Sequence, residues 1–314
     1  MNRVDESFPC MGSHARVRLE SVDAGRDELG RLADGVRAVL DSVERSLTRF
    51  DPASELSVFN ADPRSRVPAP SLVARLARAA GWAGAASGGL VDATLLAELE
   101  AAGYEASRAG LSPASLDAAL AAAPARRPAR PRAEPGFAAV SVDAAGVVTR
   151  PAGVRLDSGG LGKGLAADLA AAALPDAVRY AISCGGDLAV GGGEWEVAVA
   201  SARRGEEVHR LPVRGGVATS GIHERLWRRH DGSFGHHVLD PSTGEPAWTG
   251  LVSATAAARG ALEAEVLAKT ALLSGPAGAR RVLAREGGVL QHDDGRVEVI
   301  ARRTVVRLPR PVAA

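Results

Sequence analysis

The chain changes texture once, at Arg126-Arg127-Pro128-Ala129-Arg130-Pro131-Arg132, and that break limits the folds open to it. Before it, apolar residues recur at three- and four-residue steps, the period of a helix with one buried face. Leu29, Leu32, Val36, Val39, Leu40, Val43 and Leu47 mark a helix over residues 23–49, ended by Asp51-Pro52. Ser54-Glu55-Leu56-Ser57 reads as a fresh helical turn and residues 71–86 as a helix closed by Ser87-Gly88-Gly89. Another helix is expected to start near Asp92, and a further one at Ser112-Pro113, with proline in its first turn. After the break the apolar runs are short and β-type, at 137–142, 147–150, 154–156, 178–183, 195–201, 208–213, 217–219, 251–256, 297–300 and 304–308. Helices are expected only at 162–173, 262–273 and 277–286. Hairpin-length turns join antiparallel neighbours, whereas parallel strands need long crossovers. The expected fold is therefore α+β, with largely antiparallel sheets flanked by helices rather than a doubly wound parallel sheet.

A chain of 314 residues has room for one large domain or two interlocked subdomains. Residues 1–10 read as an N-terminal tail and 11–314 as the domain, with a helix-rich part at about 23–122, an extended surface linker at about 124–135 and a sheet-rich part at about 136–314. Aromatic residues make up only 4%, so Ala, Val and Leu must build the core. A net charge of +1 provides no global field to gather nucleic acid or an anionic membrane. The first ten residues carry acids where a signal peptide needs an apolar run, and no segment reaches the roughly 18 apolar residues of a membrane span. A cytoplasmic protein is expected, with no nucleic-acid partner and no membrane insertion. The two cysteines, Cys10 and Cys184, form no CxxC and no zinc-type cluster, and nothing in the sequence argues for a disulfide between them.

Basic residues are 36 arginines and two lysines, Lys163 and Lys269. Arginine presents a wide planar fork, lysine a point charge on a thin stem, so a chain that otherwise uses arginine should keep lysine where the fork does not fit. Lys163 lies in Asp157-Ser158-Gly159-Gly160-Leu161-Gly162-Lys163-Gly164, a glycine-rich loop running into a helix. Such an entry lets a ligand approach the backbone and offers free amides to an anion, although the spacing is not that of a Walker loop. His236-His237-Val238-Leu239-Asp240-Pro241-Ser242-Thr243-Gly244 places an imidazole at a strand end, suited to a general base, an anion ligand or a metal ligand. Cys184-Gly185-Gly186-Asp187 and Ala218-Thr219-Ser220-Gly221 are further small-residue turns.

These segments together carry a resemblance. Met11-Gly12-Ser13, Ser54-Glu55-Leu56-Ser57-Val58-Phe59-Asn60, Gly89-Leu90-Val91-Asp92-Ala93-Thr94, the 157–164 loop, Gly185-Gly186-Asp187, Thr219-Ser220-Gly221, the 236–244 block and Ala264-Glu265 with Leu267-Ala268 follow one another in the order seen in the ApbE family of FAD:protein FMN transferases. The resemblance spans nearly the whole chain. It implies that FAD is split at its pyrophosphate, that FMN passes to a Ser or Thr hydroxyl of an acceptor protein, and that AMP leaves. It also implies that Met11, Phe50, Leu90, Val91, Asp92, Asp157, Lys163 and Leu239 hold FAD, with Thr219 and Ser220 beside the phosphates or the ring. Lys163 and His237 are then the catalytic pair, with His237 relieving the acceptor hydroxyl of its proton. Phe50 stands where a tyrosine is common in the family, so stacking survives and a phenolic hydrogen bond does not.

The resemblance further implies Mg²⁺, held by a loop carbonyl matching Gly160 and by an Asp and a Thr one helical turn apart. Here those two positions read Glu265 and Lys269. A glutamate can ligate Mg²⁺ but an ammonium cannot, so two arrangements stay open: a displaced ion on Glu265, or a lysine in its place. Two other functions remain alongside the transferase: an FAD pyrophosphatase, with water in place of the hydroxyl, and a non-catalytic flavin-binding protein. The sequence does not set the oligomeric state.

Overall fold

The protein is described by a computed structural model covering residues 1–302. Its centre is an eight-stranded sheet of β1 (Asn2–Cys10), β2 (Ser13–Ser21), β3 (Arg179–Cys184), β4 (Asp187–Ala200), β5 (Glu207–Gly221), β6 (Leu251–Ala258), β7 (Gly288–His292) and β8 (Val297–Ile300). The strands lie side by side in chain order and every neighbouring pair is antiparallel. Helices fill two of the connections. Between β2 and β3 come α1 (Arg26–Leu47), α2 (Glu55–Ala61), α3 (Ser71–Ala86), α4 (Leu96–Ala101), α5 (Leu116–Ala122) and α6 (Gly162–Ala171); between β6 and β7 come α7 (Ala261–Leu273) and α8 (Gly275–Leu283). The expected α+β class with antiparallel sheets is what forms.

The helix periods translate directly into packing. In α1, Leu29, Val36, Leu40, Val43 and Leu47 are fully or almost fully buried and face β1, β2 and α6, while Asp27 and Glu28 in the first turn and Arg45 in the last complement the helix dipole. Burying each such side chain stabilises the fold by roughly 1.5–3 kcal/mol. Alanine does the rest of the work that aromatics do elsewhere: Ala264, Ala268 and Ala271 of α7 are buried where the helix crosses β5 and β6. Side chains this small let α7 lie close on the sheet.

Several expectations are corrected. Residues 2–10 are not a tail; they pair along their length with β2, with Phe8 and Cys10 in the core. The turn that makes this pairing possible is Met11-Gly12, both left-handed, at φ +50° and +66°, as a two-residue hairpin of primed type requires. No strand forms at 154–156, where Leu156 instead exchanges backbone hydrogen bonds with the side chain of Asn60. The 137–142 run is a short 3₁₀ turn followed by a two-residue strand. The helix expected near Asp92 begins only at Leu96, because the Asp92 carboxylate turns onto the amide and hydroxyl of Thr94. The fifth helix is capped by Ser115, not opened by Pro113. The Pro/Arg stretch is extended as expected but fastened, since Arg127, Ala129 and Arg130 donate backbone N–H groups to Trp248, Leu273 and Asp240. The strand expected at 304–308 lies outside the described residues. Cys10 and Cys184 are buried free thiols.

The feature that builds the site is the crossing of α6 and α7. A Cβ on Gly164 would sit 2.7 Å from both the Ala261 carbonyl oxygen and Leu262 Cα, so only glycine permits this approach. Asp168 on α6 accepts the N–H groups of Ala261 (2.7 Å) and Leu262 (3.0 Å) at the start of α7. Glu265 on α7 accepts the N–H of Gly164 in the first turn of α6 (3.0 Å). Two helix N-termini, whose first amides would otherwise lack partners, are thereby locked side by side, each satisfied by the other helix's carboxylate.

Candidate active site

Two adjoining cavities open around this crossing. The first, of about 320 Å³, is walled largely by apolar side chains, among them Leu47, Leu90, Val91, Leu95, Leu99 and Leu239. The second, of about 240 Å³, is lined by the Gly185-Gly186-Asp187 turn, β4 residues 197–200 with Ser201, and the hydroxyls of Thr219, Ser220, Ser253 and Thr255. Five residues border both cavities: Gly159, Lys163, Arg225, His237 and Lys269. The cleft thus has an apolar end, a polar end and a cationic waist.

Every residue expected at the site lines it. Met11, Phe50, Leu90, Val91, Asp92, Asp157, Gly160 and Leu239 border the apolar cavity; Thr219, Ser220 and Glu265 border the polar one; Lys163, His237 and Lys269 border both. Met11 arrives through its strained hairpin position, a backbone cost that is tolerated where surroundings fix it. Lys163, in the first turn of α6, lies over the β3–β4 turn: a Cβ on Gly185, itself at φ +60°, would come within 3.1 Å of the lysine Cδ and Cε. Glycine there is what leaves room for the ammonium.

Two buried carboxylates, Asp157 and Asp92, face the apolar cavity, which half-buried Glu44 also lines. Asp157 is buried, which raises its pKa; the Arg49 guanidinium at 3.2 Å and the Gly159 N–H at 3.0 Å oppose that shift. Asp92 directs Oδ1 at Thr94, while its buried Oδ2 has no protein partner. A buried acceptor without a donor is costly unless a ligand supplies one.

The two histidines divide. His236 is fully buried, with its ring edge-on to Trp248 at 4.7 Å and Nδ1 accepting the N–H of Val238, and burial lowers its pKa to about 3. His237 faces the cleft instead. Burial, then the neighbouring His236, Lys269, Lys163 and Arg225, hold its pKa well below the ordinary value. Its imidazole is neutral at neutral pH and able to accept a proton, and its Nδ1 is buried without a partner.

The positions where the resemblance implies Mg²⁺ do not suit a divalent ion. Glu265 is 2% exposed and both its oxygens are engaged, Oε2 by the Gly164 N–H and Oε1 by Lys269 Nζ at 3.4 Å. The lysine stem also runs against the loop, with Cε 3.4 Å from where a Cβ on Gly160 would stand. An ammonium donates and cannot ligate, so a positive charge occupies the face from which Glu265 would bind a cation. Among the described residues no group of three or more His, Cys, Asp or Glu side chains is arranged to hold a metal.

Among the lining residues that sequence reasoning missed, Arg49, Tyr104 and Arg225 make the most specific contacts. Arg49 pairs with Asp157, donates to the Tyr104 carbonyl at 2.5 Å and lies over the rings of Phe50 (4.3 Å) and Tyr104 (4.7 Å). Phe50 and Tyr104 are 5.8 Å apart, forming one aromatic wall. The scarcity of aromatics marks Tyr104 as one of only two tyrosines, and Arg49 directly precedes Phe50. Arg225 reaches the Gly12 carbonyl at 3.2 Å and carries no local signal that separates it from ordinary surface residues, whereas Asp187, buried in the polar cavity, ends the glycine turn that the sequence marked.

A sequential antiparallel sheet with helices in two connections, carrying a cleft with an apolar end and a cationic waist, defines an α+β protein with a site for a ligand that is part apolar and part anionic. The chain belongs to the ApbE family, whose model matches residues 11–291. It is 29% identical over 296 residues to the FAD:protein FMN transferase of Salmonella typhimurium, covering 88% of this chain and 80% of that one. It is also 35% identical over 142 residues to the enzyme of the same name from Escherichia coli K12, there covering 42% and 40%. Its fold matches the crystal structure of the ApbE protein of Thermotoga maritima with a TM-score of 0.77 at 23% identity, covering 95% and 97% of the two chains. The flavin transferase ApbE of Vibrio cholerae matches with a TM-score of 0.71 at 19% identity over the same shares.

Proposed function

We propose that this chain is an FAD:protein FMN transferase. The observation that carries the reading is that Lys163, Lys269, Arg225 and His237, three cations and a neutral base, stand together where the apolar and polar cavities meet. Support comes from the family match and from the name shared by its curated relatives.

In this reading the apolar cavity takes the isoalloxazine ring, with the Phe50 and Tyr104 wall beside it and Asp92 Oδ2 as an acceptor for a ring or base N–H. Lys163 faces the diphosphate with its ammonium, since the amides of Gly162, Gly164 and Leu165 at the start of α6 are taken by Ser158, Glu265 and Leu161. His237 takes the proton from a Ser or Thr hydroxyl of the acceptor protein as its oxygen attacks the FMN phosphorus. The new O–P bond forms, the P–O bond to the AMP phosphate breaks, and AMP leaves with the bonding pair. Phosphoryl transfer of this kind depends on positioning and charge neutralisation more than on covalent help from the protein. Thr219 and Ser220 border the polar cavity, beside the phosphates.

Incubation of the purified protein with FAD and a Ser/Thr-containing acceptor should release AMP and leave flavin covalently on the acceptor. FMN and AMP accumulating at the same rate without acceptor would favour the pyrophosphatase. FAD bound with no AMP released under either condition would leave only a flavin-binding protein. No helix among the described residues is long and apolar enough to cross a membrane.

A further inference from the structure

We propose that Lys269 is a built-in cation of the cleft and that flavin transfer by this chain proceeds without a divalent metal ion. The inference rests on the reading that an FAD diphosphate occupies the waist, and it follows from how Lys269 is held. Its side chain is 16% exposed, and Glu265, 3% exposed at its side chain, lies one helical turn away with Oε1 at 3.4 Å from Nζ. The other Glu265 oxygen is fixed by the Gly164 N–H. The glutamate is therefore a positioning residue, bracing the lysine from α7 and tying α7 to the start of α6. A divalent ion brought to this carboxylate would meet the ammonium already paired with it, at a separation where like charges repel strongly in a poorly solvated site.

The choice of side chain points the same way. Basic positions in this chain are arginine with two exceptions, and both exceptions border both cavities. The Lys269 stem passes Gly160 at contact distance, with Cε 3.4 Å and Cδ 3.8 Å from a Cβ built there. A lysine stem carrying a point charge suits this passage, and a planar guanidinium would need a wider one. Lys163, Lys269 and Arg225 place three positive charges at the waist against one negative charge on Glu265, a balance of two, the number a diphosphate diester brings as negative ones. The lysines would neutralise the ground state and meet the charge that gathers on the departing AMP phosphate.

The test uses the full-length protein with FAD, Mn²⁺ as a spectroscopic stand-in for Mg²⁺, and flavin fluorescence for affinity. Wild type should show no saturable Mn²⁺ signal by electron paramagnetic resonance, with or without FAD, and EDTA should leave its FAD affinity within about twofold. Lys269→Thr should lose about tenfold or more in FAD affinity in EDTA, as expected for a lost charged hydrogen-bond donor, and regain it on adding Mg²⁺ as a Mn²⁺ signal appears. Lys269→Met keeps the stem without the charge and should show the same loss without the rescue; circular dichroism melts establish that both variants fold. A saturable Mn²⁺ site in wild type that disappears in Glu265→Gln, EDTA-sensitive FAD binding restored by Mg²⁺, or wild-type FAD affinity in both Lys269 variants would overturn the proposal. Failure of wild type to bind FAD at all would instead remove the flavin reading on which it rests.

Discussion

Asp168 on α6 and Glu265 on α7 stand in a reciprocal arrangement, each carboxylate accepting amide hydrogens from the first turn of the other's helix. Each acid supplies the acceptors that a buried helix start lacks, and together they fix the angle and distance between the two helices that carry Lys163 and Lys269. Burial raises the pKa of Asp168, and its two backbone hydrogen bonds counter that shift. The same contacts that hold the fold thus set the spacing of the two lysines in the cleft.

Removing one half of this exchange should loosen both helices. Asp168→Ala is expected to lower stability by about 1–2 kcal/mol, the usual cost of losing a helix cap, measured by urea unfolding. Its FAD affinity should fall as well, although Asp168 borders neither cavity. Unchanged affinity in a folded Asp168→Ala variant would separate the helix tie from the site.

Gly164→Ala places a methyl group 2.7 Å from the Ala261 carbonyl and Leu262 Cα. Since those atoms are backbone, α6 and α7 must part. Overpacking of this kind costs roughly 1–3 kcal/mol, so a melting temperature within a degree of wild type would mean that the helices are not in the contact described.

Lys163→Ala should weaken FAD far more than riboflavin, which has no phosphate for the ammonium to meet. Titration of both flavins by fluorescence gives the comparison. Equal losses would place Lys163 away from the diphosphate.

His237→Gln should cost ~10²- to 10⁴-fold in rate, the usual share of a general base, with FAD affinity kept. Because the folded pKa lies below the ordinary 6.5, the base is already free of its proton at pH 6.5. The acid limb of kcat/KM should therefore appear only below that value. A wild-type profile that falls on moving from pH 7.5 to 6.5 would point to another group.

His236 gives a prediction on stability alone. Its folded pKa of about 3 lies below the unfolded 6.5, so between those values the unfolded chain binds the extra proton. The contribution is complete above pH 6.5 and is lost as pH falls toward 3, by roughly 1.4 kcal/mol per pH unit. Against a His236→Asn reference, wild type should lose about 2 kcal/mol more between pH 7 and pH 5. Parallel pH profiles in urea unfolding would show that this ring is not buried in its neutral form.

The sequence by itself determined the fold class and most of the site's membership. Helical periods placed α1, α3 and α7 to within a few residues, because each buries one face and the period of that face is written into the chain. Glycine-rich turns, the histidine pair and two lysines among 36 arginines marked the cleft, since chemistry of that kind requires particular residue types. Tertiary structure decided what depends on neighbours distant in sequence. Residues 2–10 became a strand because β2 offers a full edge to pair with, a partner that no local pattern announces. His236 and His237 look alike in the sequence and part company only because Trp248 buries one while the cavities receive the other. Arg49 acquires a role only when Asp157, more than a hundred residues on, is brought to 3.2 Å. Glu265 and Lys269 are one helical turn apart in any helix, but the engagement of both glutamate oxygens depends on Gly164 letting α6 reach α7. Local preferences are short-ranged, whereas charge, burial and hydrogen-bond satisfaction are settled by whatever the completed fold brings near.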